Sequence, residues 1–456
     1  MRTVTLVVCL MGAGGDEKER VLYDFEDAAD LSAWSNLAIE NPAEADKRIR
    51  KEPPVKVELS TENVTSGKSS LKLTFEGGAW PTVTRALPDE DWMPYHRLTA
   101  DVTVTRDCLV GFTVLQVKSS RKEGWDPVVG RWTKTHFCRP GRNVVTDLLH
   151  RNDWSAISSK LGPAVRFEIF MYNPRPGESI WVDHVRLTKV KDKEEPSRRE
   201  FKVLGTDMVV SGVQELGKKL APQWKKPEPR TVDEVEGEFR AQFEKLKAEH
   251  PKAVLAVLRD GENGYAGWRD AYFNSHGPDG MTFERSENFG KHASQEIFMR
   301  HRSPVMKVDL SSITKGSKIL AARFIVVRSD KDFPKEHNPE AKPTMWAVEP
   351  CARPWVETEV NAYEWAKDKF WRAIGGQYYG EDPDFWPVYL AYGQSQGKVC
   401  WWDFAEAVRF WTDGSRENHG FMLHGDSHDW MGRACYREWP EVRQRPAVLV
   451  AYVPAN

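Results

Sequence analysis

The sequence shows no excess of charge of either sign. Its 456 residues include 65 lysines and arginines against 67 aspartates and glutamates, which gives a formal net charge of -2 at pH 7. Nucleic acids and anionic membrane surfaces attract proteins mainly through an excess of positive charge. The balance therefore argues against nucleic acid as the main partner, although it is compatible with a local basic groove for an acidic polysaccharide.

Cysteine motifs and long apolar runs are also scarce. The six cysteines include no CxxC pair and no zinc-ligand spacing. A bridge between Cys108 and Cys138 is one alternative, and buried free thiols are the state that we favour for most of the cysteines. Beyond the N-terminus, no segment reaches the ~18 apolar residues of a membrane span. We therefore expect no integral membrane association.

The N-terminus has the features of an export signal in the usual order. Arg2 precedes an apolar run over residues 4–11, small residues occupy positions 12–15, and charged residues follow. This order is typical of a secretory signal peptide. We therefore predict a signal peptide over residues 1–15 and a protein that is secreted or exposed on a bacterial cell surface. Lipid attachment at Cys9 is the less favoured alternative.

Tryptophan, by contrast, is abundant. The chain has 19 tryptophans beside 12 tyrosines and 20 phenylalanines. Large aromatic rings fill the cores of β-sheet proteins, and exposed rings suit half-apolar surfaces such as the faces of sugars. Each tryptophan is therefore a candidate either for the core or for a glycan-binding surface.

Two long regions consist of short, strand-like stretches. Residues 21–190 alternate apolar and polar residues, for example over 98–104 and 180–187, and residues 251–456 contain apolar runs such as 321–327. Alternation with a period of two is typical of half-buried strands, and many short strands predict a sandwich. We predict an all-β fold of two β-sandwich (jelly-roll) domains, one in each region.

The stretch between these regions has a different composition. Residues 191–250 are rich in charge and proline, and they contain one run with helical periodicity. Val235, Phe239 and Phe243 recur at intervals of four, which predicts one apolar face of a helix. We therefore predict a charged, partly helical linker that is partly docked on a neighbouring domain.

The first domain resembles a known class of sandwich. The Tyr-Asp-Phe-Glu sequence at 23–26, the serine-rich turn at 66–72 and the strand at 181–185 are similar to those of galactose-binding-like jelly rolls that serve as carbohydrate-binding modules. The resemblance implies a structural calcium ion, which binds carboxylate and carbonyl oxygens. Solvated carboxylates at the sheet edge are the alternative. The implied ligands are Asp24, Glu26 and Asp183.

The second domain is similar to another family. Motifs over 354–371 and 403–411, the Asn-His-Gly at 418–420 and the Tyr-Arg-Glu at 436–438 occur in the same order in DNRLRE-type domains. These are β-sandwich modules of secreted bacterial proteins, and they include an alginate-binding carbohydrate-binding module family. The resemblance implies a glycan-binding surface. The aromatic stretch at 378–389 departs from the family pattern as a loop insertion.

Several loops carry side chains that suit a glycan surface. Turn residues flank two tryptophans of the first domain, and glycines surround an aromatic, arginine-containing loop of the second. Glycine permits tight backbone turns that can leave neighbouring side chains exposed. The candidate carbohydrate-binding residues are Trp125, Trp132, Trp268, Tyr265, Arg269, Trp430, His424 and His428.

The loop over 424–430 also supports a different function. Its two histidines and two carboxylates could bind a metal or act as acid and base. The loop has no HExxH spacing, and the chain has no nucleophile elbow or phosphate-binding loop. We therefore predict a secreted carbohydrate-binding protein without catalytic activity. A polysaccharide lyase or glycoside hydrolase that uses the 424–429 loop is the first alternative, and a structural surface spacer is the second.

Overall fold

The structure, a computed structural model, describes most of the chain. The described residues are 19–36, 52–90, 92, 95–118, 128–148, 161–189, 200–220, 230–274, 287–298, 302–329, 345–376, 378–394, 398–414, 416–425 and 430–455. The chain divides into two compact units, Met1–Glu195 and Pro196–Asn456. Strands dominate the described ranges of both units, which confirms the all-β prediction. None of the helices in those ranges is long and apolar enough to cross a membrane.

The described part of the first unit forms two sheets. Its elements are β1 (Glu19–Tyr23), α1 (Ala28–Leu31), β2 (Trp34–Asn36), β3 (Val55–Ser60), β4 (Ser70–Glu76), β5 (Thr82–Glu90), β6 (Arg97–Val104), β7 (Cys108–Lys118), β8 (Val128–Cys138), β9 (Gly141–Leu148), β10 (Leu161–Met171) and β11 (Pro176–Thr188). One sheet has the order β3-β4-β11-β6-β9 with β1 beside β11, and the other has the order β2-β5-β10-β7-β8. Alternate residues, such as Leu71 and Leu73 of β4 and Phe167 and Ile169 of β10, share one core between the sheets.

The second unit is larger and carries helices outside its sheets. Its elements in the described ranges are β12 (Phe201–Val203), β13 (Val209–Val210), α2 (Val213–Leu220), α3 (Val232–Glu249), β14 (Val254–Arg259), β15 (Trp268–Asn274), β16 (Ser294–Phe298), β17 (Arg302–Val308), β18 (Lys318–Val327), β19 (Met345–Pro350), β20 (Glu364–Ala366), β21 (Lys369–Phe370), β22 (Val388–Tyr389), β23 (Ala391–Gln394), β24 (Val399–Asp403), α4 (Ala405–Thr412), β25 (Phe421–Gly425), β26 (Trp430–Cys435) and β27 (Ala447–Val453). Two main sheets have the orders β14-β27-β18-β24 and β23-β19-β25-β17-β16-β26, with β15 beside β17. Small sheets β13-β12-β22 and β20-β21 complete the described topology.

Aromatic side chains fill the main core of the second unit. The ring of Phe324 lies 5.2 Å from those of Trp402 and Phe404 and 5.3 Å from that of Phe421, measured between centroids. These rings come from β18, β24, the start of α4 and β25, so they join both main sheets to the helix. Several tryptophans of this unit are therefore packed in the core. Core packing was one of the two roles that the composition allowed, and a glycan-binding surface was the other.

Helix α3 belongs to the second unit. Thr231 caps its N-terminus by accepting a hydrogen bond from the N–H of Glu234, whose side chain accepts one from the Thr231 N–H in return. Val235, Phe239 and Phe243 are buried against residues of β14, β18 and β27. The apolar face of this helix completes the core on one side of a main sheet, so the segment 232–249 is helical and packs on the second unit.

Candidate functional site

A groove of about 730 Å³ opens on the second unit. One wall is formed by Ala352 and part of the 379–388 segment, and the other wall comes from α4 and the residues after it. The described side chains that line it include three aromatic rings and two prolines, with one acidic and one basic group. These are Tyr379, Trp386, Phe410, Pro383, Pro387, Asp382 and Arg416. A concave surface of this size with apolar walls and few polar groups is the usual form of a small-ligand site.

A buried carboxyl group holds the first wall in place. Asp384 is fully buried, and its Oδ1 accepts hydrogen bonds from Arg353 Nε and the Arg372 N–H, each at 3.0 Å. Its Oδ2 accepts a hydrogen bond from the Ala373 N–H at 3.1 Å. Burial raises the pKa of Asp384 to about 6 even though these donors favour the charged form. The carboxyl group thus ties the wall segment to two neighbouring stretches of chain.

The acidic residue that lines the groove is already paired. Asp382 has a positive φ of 57°, and its Oδ1 lies 2.8 Å from Arg353 Nη2 while its Oδ2 accepts a hydrogen bond from Arg372. Hydrogen bonding from Arg353 is the main cause that lowers the pKa of Asp382 to about 2. Its negative charge is therefore balanced inside the wall, and it is poorly suited to act as a proton donor.

An arginine on an indole ring forms the opposite side of the groove. The guanidinium carbon of Arg416 lies 3.7 Å from the centroid of the Trp386 ring and 5.9 Å from that of Phe410. Arg416 is exposed and Trp386 is half-buried. Within the described part of the chain, no hydrogen bond or ion pair engages the Arg416 guanidinium. A stacked guanidinium without a counter-ion keeps its fork of donors available for a ligand.

The aromatic loop that was predicted from its glycines does not present a binding platform. Trp268 is fully buried in the core, which corrects its prediction as a glycan contact, because its position on β15 points the ring towards Phe324. Tyr265 is half-buried and donates its hydroxyl hydrogen bond to the Asp309 carbonyl at 3.0 Å. Arg269 is exposed but donates to the Trp268 carbonyl at 2.6 Å. The side chains of this loop therefore make contacts within the second unit and do not form an exposed aromatic surface.

The histidine loop lies partly outside the described residues. His424 is half-buried on β25, where its Nδ1 lies 3.2 Å from Oε2 of the buried Glu349. His428 is outside the described ranges, and Trp430 is described only in its backbone, as the first residue of β26. In the first unit, Trp125 is likewise outside these ranges, and only the backbone of Trp132 is described, in β8. Their predicted roles stay predictions.

Arg437 and Glu438, part of the motif shared with DNRLRE-type domains, contact neighbouring chain segments and have a structural role. Arg437 Nε lies 2.7 Å from Glu438 Oε1 and 2.9 Å from Glu357 Oε1, and the Arg437 N–H donates to Asp270 Oδ2 at 3.0 Å. Burial, followed by repulsion from Glu438, raises the pKa of the fully buried Asp270. The ion pairs of Arg437 and its backbone hydrogen bond to Asp270 therefore join β15 to two other chain segments.

The carboxylates of the predicted calcium site hold a turn in the first unit. Oδ2 of the buried Asp183 accepts hydrogen bonds from the N–H groups of Thr65 and Ser66 at 2.6 and 2.9 Å. The turn over residues 65–69 is thereby fixed to the closing strand β11. This contact explains why a serine-rich turn and a distant aspartate occur together in the sequence.

Glu26 and Asp24 lie at the same edge but are more exposed. Glu26 Oε1 accepts hydrogen bonds from the N–H groups of Lys68 and Ser69 at 2.7 and 2.9 Å, and these donors lower its pKa. Asp24 is exposed and accepts one from the Glu26 N–H at 3.3 Å. In the described ranges, no three histidine, cysteine, aspartate or glutamate side chains are grouped to hold a metal. The contacts fit the anchoring of a turn, and calcium stays a prediction.

Among known proteins, this chain is similar to solved structures but has no match in sequence. No family model and no curated protein matches the chain. Solved β-sandwich carbohydrate-binding modules are similar to part of it, among them a family 11 module from Clostridium thermocellum in complex with a β-1,3-1,4-mixed-linked tetrasaccharide. That module is 14% identical, with 38% of this chain and 96% of that chain covered at a TM-score of 0.26.

Two further solved structures show the same pattern. A family 30 carbohydrate-binding module is 12% identical, with 31% of this chain and 78% of that chain covered at a TM-score of 0.24. An exo-β-agarase structure is 13% identical, with 46% of this chain and 32% of that chain covered at a TM-score of 0.28. At these scores and identities, the likeness does not by itself support a function for this chain.

The sequence patterns do not predict this groove, because residues 378–389 look like a loop insertion in the second domain. Its signal was present as a high local density of aromatic and proline residues. The partner residues Phe410 and Arg416 are too far along the chain for spacing alone to connect them with this stretch. Folding brings them together through the packing of α4 against the sheets.

Proposed function

We propose that this protein binds a polysaccharide, and that the groove between the 379–388 segment and Arg416 holds part of it. The observation that carries the proposal is the exposed guanidinium stacked 3.7 Å from the Trp386 ring centroid in a groove walled by aromatic and proline side chains. Sugar rings have apolar faces that pack on aromatic rings, and their hydroxyl groups suit polar partners at the rim.

The charges in the groove favour a glycan with acidic units. Arg416 offers several N–H donors in one plane, which match the two oxygens of a carboxylate or sulfate. Asp382 does not oppose an anion with a free negative charge, because Arg353 and Arg372 both pair with it. An acidic sugar could therefore place its charged group on Arg416 and its ring against an aromatic wall.

Binding without cleavage fits the groove better than glycoside hydrolysis. Hydrolysis of the usual kind needs two carboxyl groups on opposite sides of the scissile bond. Among the described residues that line the groove, the one carboxylate is Asp382, whose lowered pKa of about 2 keeps it ionised. The 424–429 loop remains the place to search if cleavage is found.

The resemblance to DNRLRE-type and galactose-binding-like modules supports a wider proposal. In this proposal the protein is exported by its N-terminal signal and holds polysaccharide outside the cell. Two weak sites on one chain would strengthen attachment to a repeating polymer, because the second contact forms at a high effective concentration. Calcium at the first unit is part of the same proposal, with the oxygens of Asp24, Glu26 and Asp183 as its ligands.

Affinity electrophoresis of the full chain tests this function. Acidic and neutral polysaccharides are cast separately into native gels, and the same mixtures are assayed for new reducing ends and unsaturated products. The proposal predicts retardation by at least one acidic polysaccharide without new ends. Loss of retardation in Trp386→Ala, with Arg409→Gln on α4 as the unaffected control, would place binding in the groove.

Three other outcomes would contradict parts of the proposal. Cleavage products would make the protein an enzyme. Retardation that survives Trp386→Ala would move the site away from the groove. Mobility that no glycan changes would favour a structural spacer.

A further inference from the structure

Two buried cysteines face each other in the first unit. Cys108 is the first residue of β7 and Cys138 is the last residue of β8, and the antiparallel register pairs them directly. Both are fully buried and belong to the same core cluster. Since residues opposite each other in an antiparallel pair point to the same face of the sheet, the two thiols lie side by side in the core.

The backbone spacing of such a pair suits a disulfide. Directly opposed residues of antiparallel strands have Cα atoms about 4.5 or 5.5 Å apart, depending on their place in the ladder. Disulfides usually span Cα distances of about 4.4–6.8 Å. A bond between Cys108 and Cys138 would therefore require side-chain rotation and no separation or shift of the strands.

We propose that Cys108 and Cys138 form a cross-strand disulfide when the chain folds under oxidising conditions. Both are thiols in the structure. Formation of the bond removes two protons and two electrons from the pair, and a disulfide oxidant such as glutathione disulfide accepts them and becomes two thiols. The predicted export signal would bring the chain to a compartment where such bonds persist.

Because both thiols are buried in the folded unit, the bond can form readily only during folding. Burial raises the pKa of the Cys138 thiol to about 12, and the pKa of Cys108 is also raised, mainly by burial. The thiolate is the reactive form in disulfide exchange, so the folded pair reacts slowly at neutral pH. The bond therefore forms before the core closes, and once formed it resists reductants until the unit unfolds.

The bond would secure an edge of the sandwich. Among the described strands, β8 is the last of its sheet and pairs with β7. The disulfide closes the chain from Cys108 to Cys138 at the end of the strand pair opposite Lys118 and Val128. Cross-linking the hairpin restricts the unfolded chain and raises the unfolding temperature of the first unit.

Three other cysteines serve as internal controls. Cys351, Cys400 and Cys435 are buried in the second unit. Among the strand pairs of the described ranges, Cys400 faces Val326 and Cys435 faces Ser294, so neither faces another cysteine. They are expected to stay reduced under the same conditions.

Thiol counting on the full chain tests the proposal. The full chain with the substitution Cys9→Ser is refolded with glutathione disulfide and reduced glutathione, denatured, alkylated and weighed. The proposal predicts three alkylated cysteines, and one disulfide-linked peptide pair that contains Cys108 and Cys138. Prior reduction raises the count to five. Five alkylated cysteines without reduction, or a bond between any other two cysteines, would overturn the proposal.

Thermal unfolding provides the second measurement. Oxidised wild type is expected to unfold roughly 5–15 °C above the reduced protein in the transition of the first unit. Cys138→Ala should abolish this difference, and the control Cys400→Ala should retain it. A redox difference that persists in Cys138→Ala would contradict the assignment of the bond, and the mass measurement stands even if a variant fails to fold.

Discussion

Replacing Asp384 by asparagine tests how the wall of the groove is held. The side chain is fully buried and receives three hydrogen bonds, and an asparagine of the same shape keeps one acceptor oxygen but cannot ionise. The pKa of Asp384 rises from an ordinary value of 3.8 to about 6 because of burial. Unlike most native carboxylates, this group is therefore protonated more easily in the folded state than in the unfolded state.

The sign of the pH effect follows from this difference. Because the folded state binds the proton more tightly, the group stabilises the fold below pH 3.8, and that stability is lost as the pH rises through about 6. A shift of about two pH units corresponds to about 3 kcal/mol over the full range. Between pH 7.5 and 4.5, wild type should gain about 2 kcal/mol in unfolding free energy relative to Asp384→Asn.

Urea unfolding of both proteins at the two pH values measures this difference. The two compact units can unfold separately, so the transition that moves in the variant at pH 7.5 is the one to compare. Subtracting the unfolding free energy of the variant from that of wild type at each pH removes the contributions of all other titrating groups, provided that the substitution leaves them unchanged. Equal pH dependence in the two proteins would refute the reasoning, because it would mean that the carboxyl group titrates alike in the folded and unfolded chain.

Two further predictions concern the framework. Thr231→Ala should lower the unfolding free energy of the second unit by about 1 kcal/mol through loss of the helix cap that Glu234 completes, and a change near zero in urea unfolding would contradict the cap. Gly111→Ala would place a Cβ 1.9 Å from the Phe170 ring, so we expect a loss of about 3 kcal/mol or more, or failure to fold. Its control, Gly212→Ala, meets open space and should change thermal unfolding little.

Much of the fold could be predicted because its signals are local. The alternation in 98–104 and 180–187 corresponds to β6 and β11, since burying one face of a strand imposes a period of two on neighbouring residues. The apolar residues Val235 and Phe239 indicated α3 for the same reason, with a helical period. The sheet on which they dock is formed by residues far along the chain, so composition alone could not predict it.

The site was less predictable because its signals are not local. Glycines around Trp268 suggested an exposed loop, but Trp268 is where strand β15 begins, and the pleat of that strand turns the ring inward. Trp386 was within a stretch that looked like an insertion, and its partner Arg416 lies after α4. A stacked pair of this kind depends on tertiary packing, which leaves no spacing pattern in the sequence.

The most direct test of the proposed function is a calorimetric titration of the full chain with acidic oligosaccharides from the polysaccharide that retards it. Wild type, Trp386→Ala, Arg416→Gln and the control Arg409→Gln are compared at the same pH and salt. If the groove binds the glycan, Trp386→Ala and Arg416→Gln should each lose affinity by about tenfold or more, equivalent to about 1.4 kcal/mol. The control Arg409→Gln should lose none. Equal affinity in all four proteins would contradict the assignment of glycan binding to this groove.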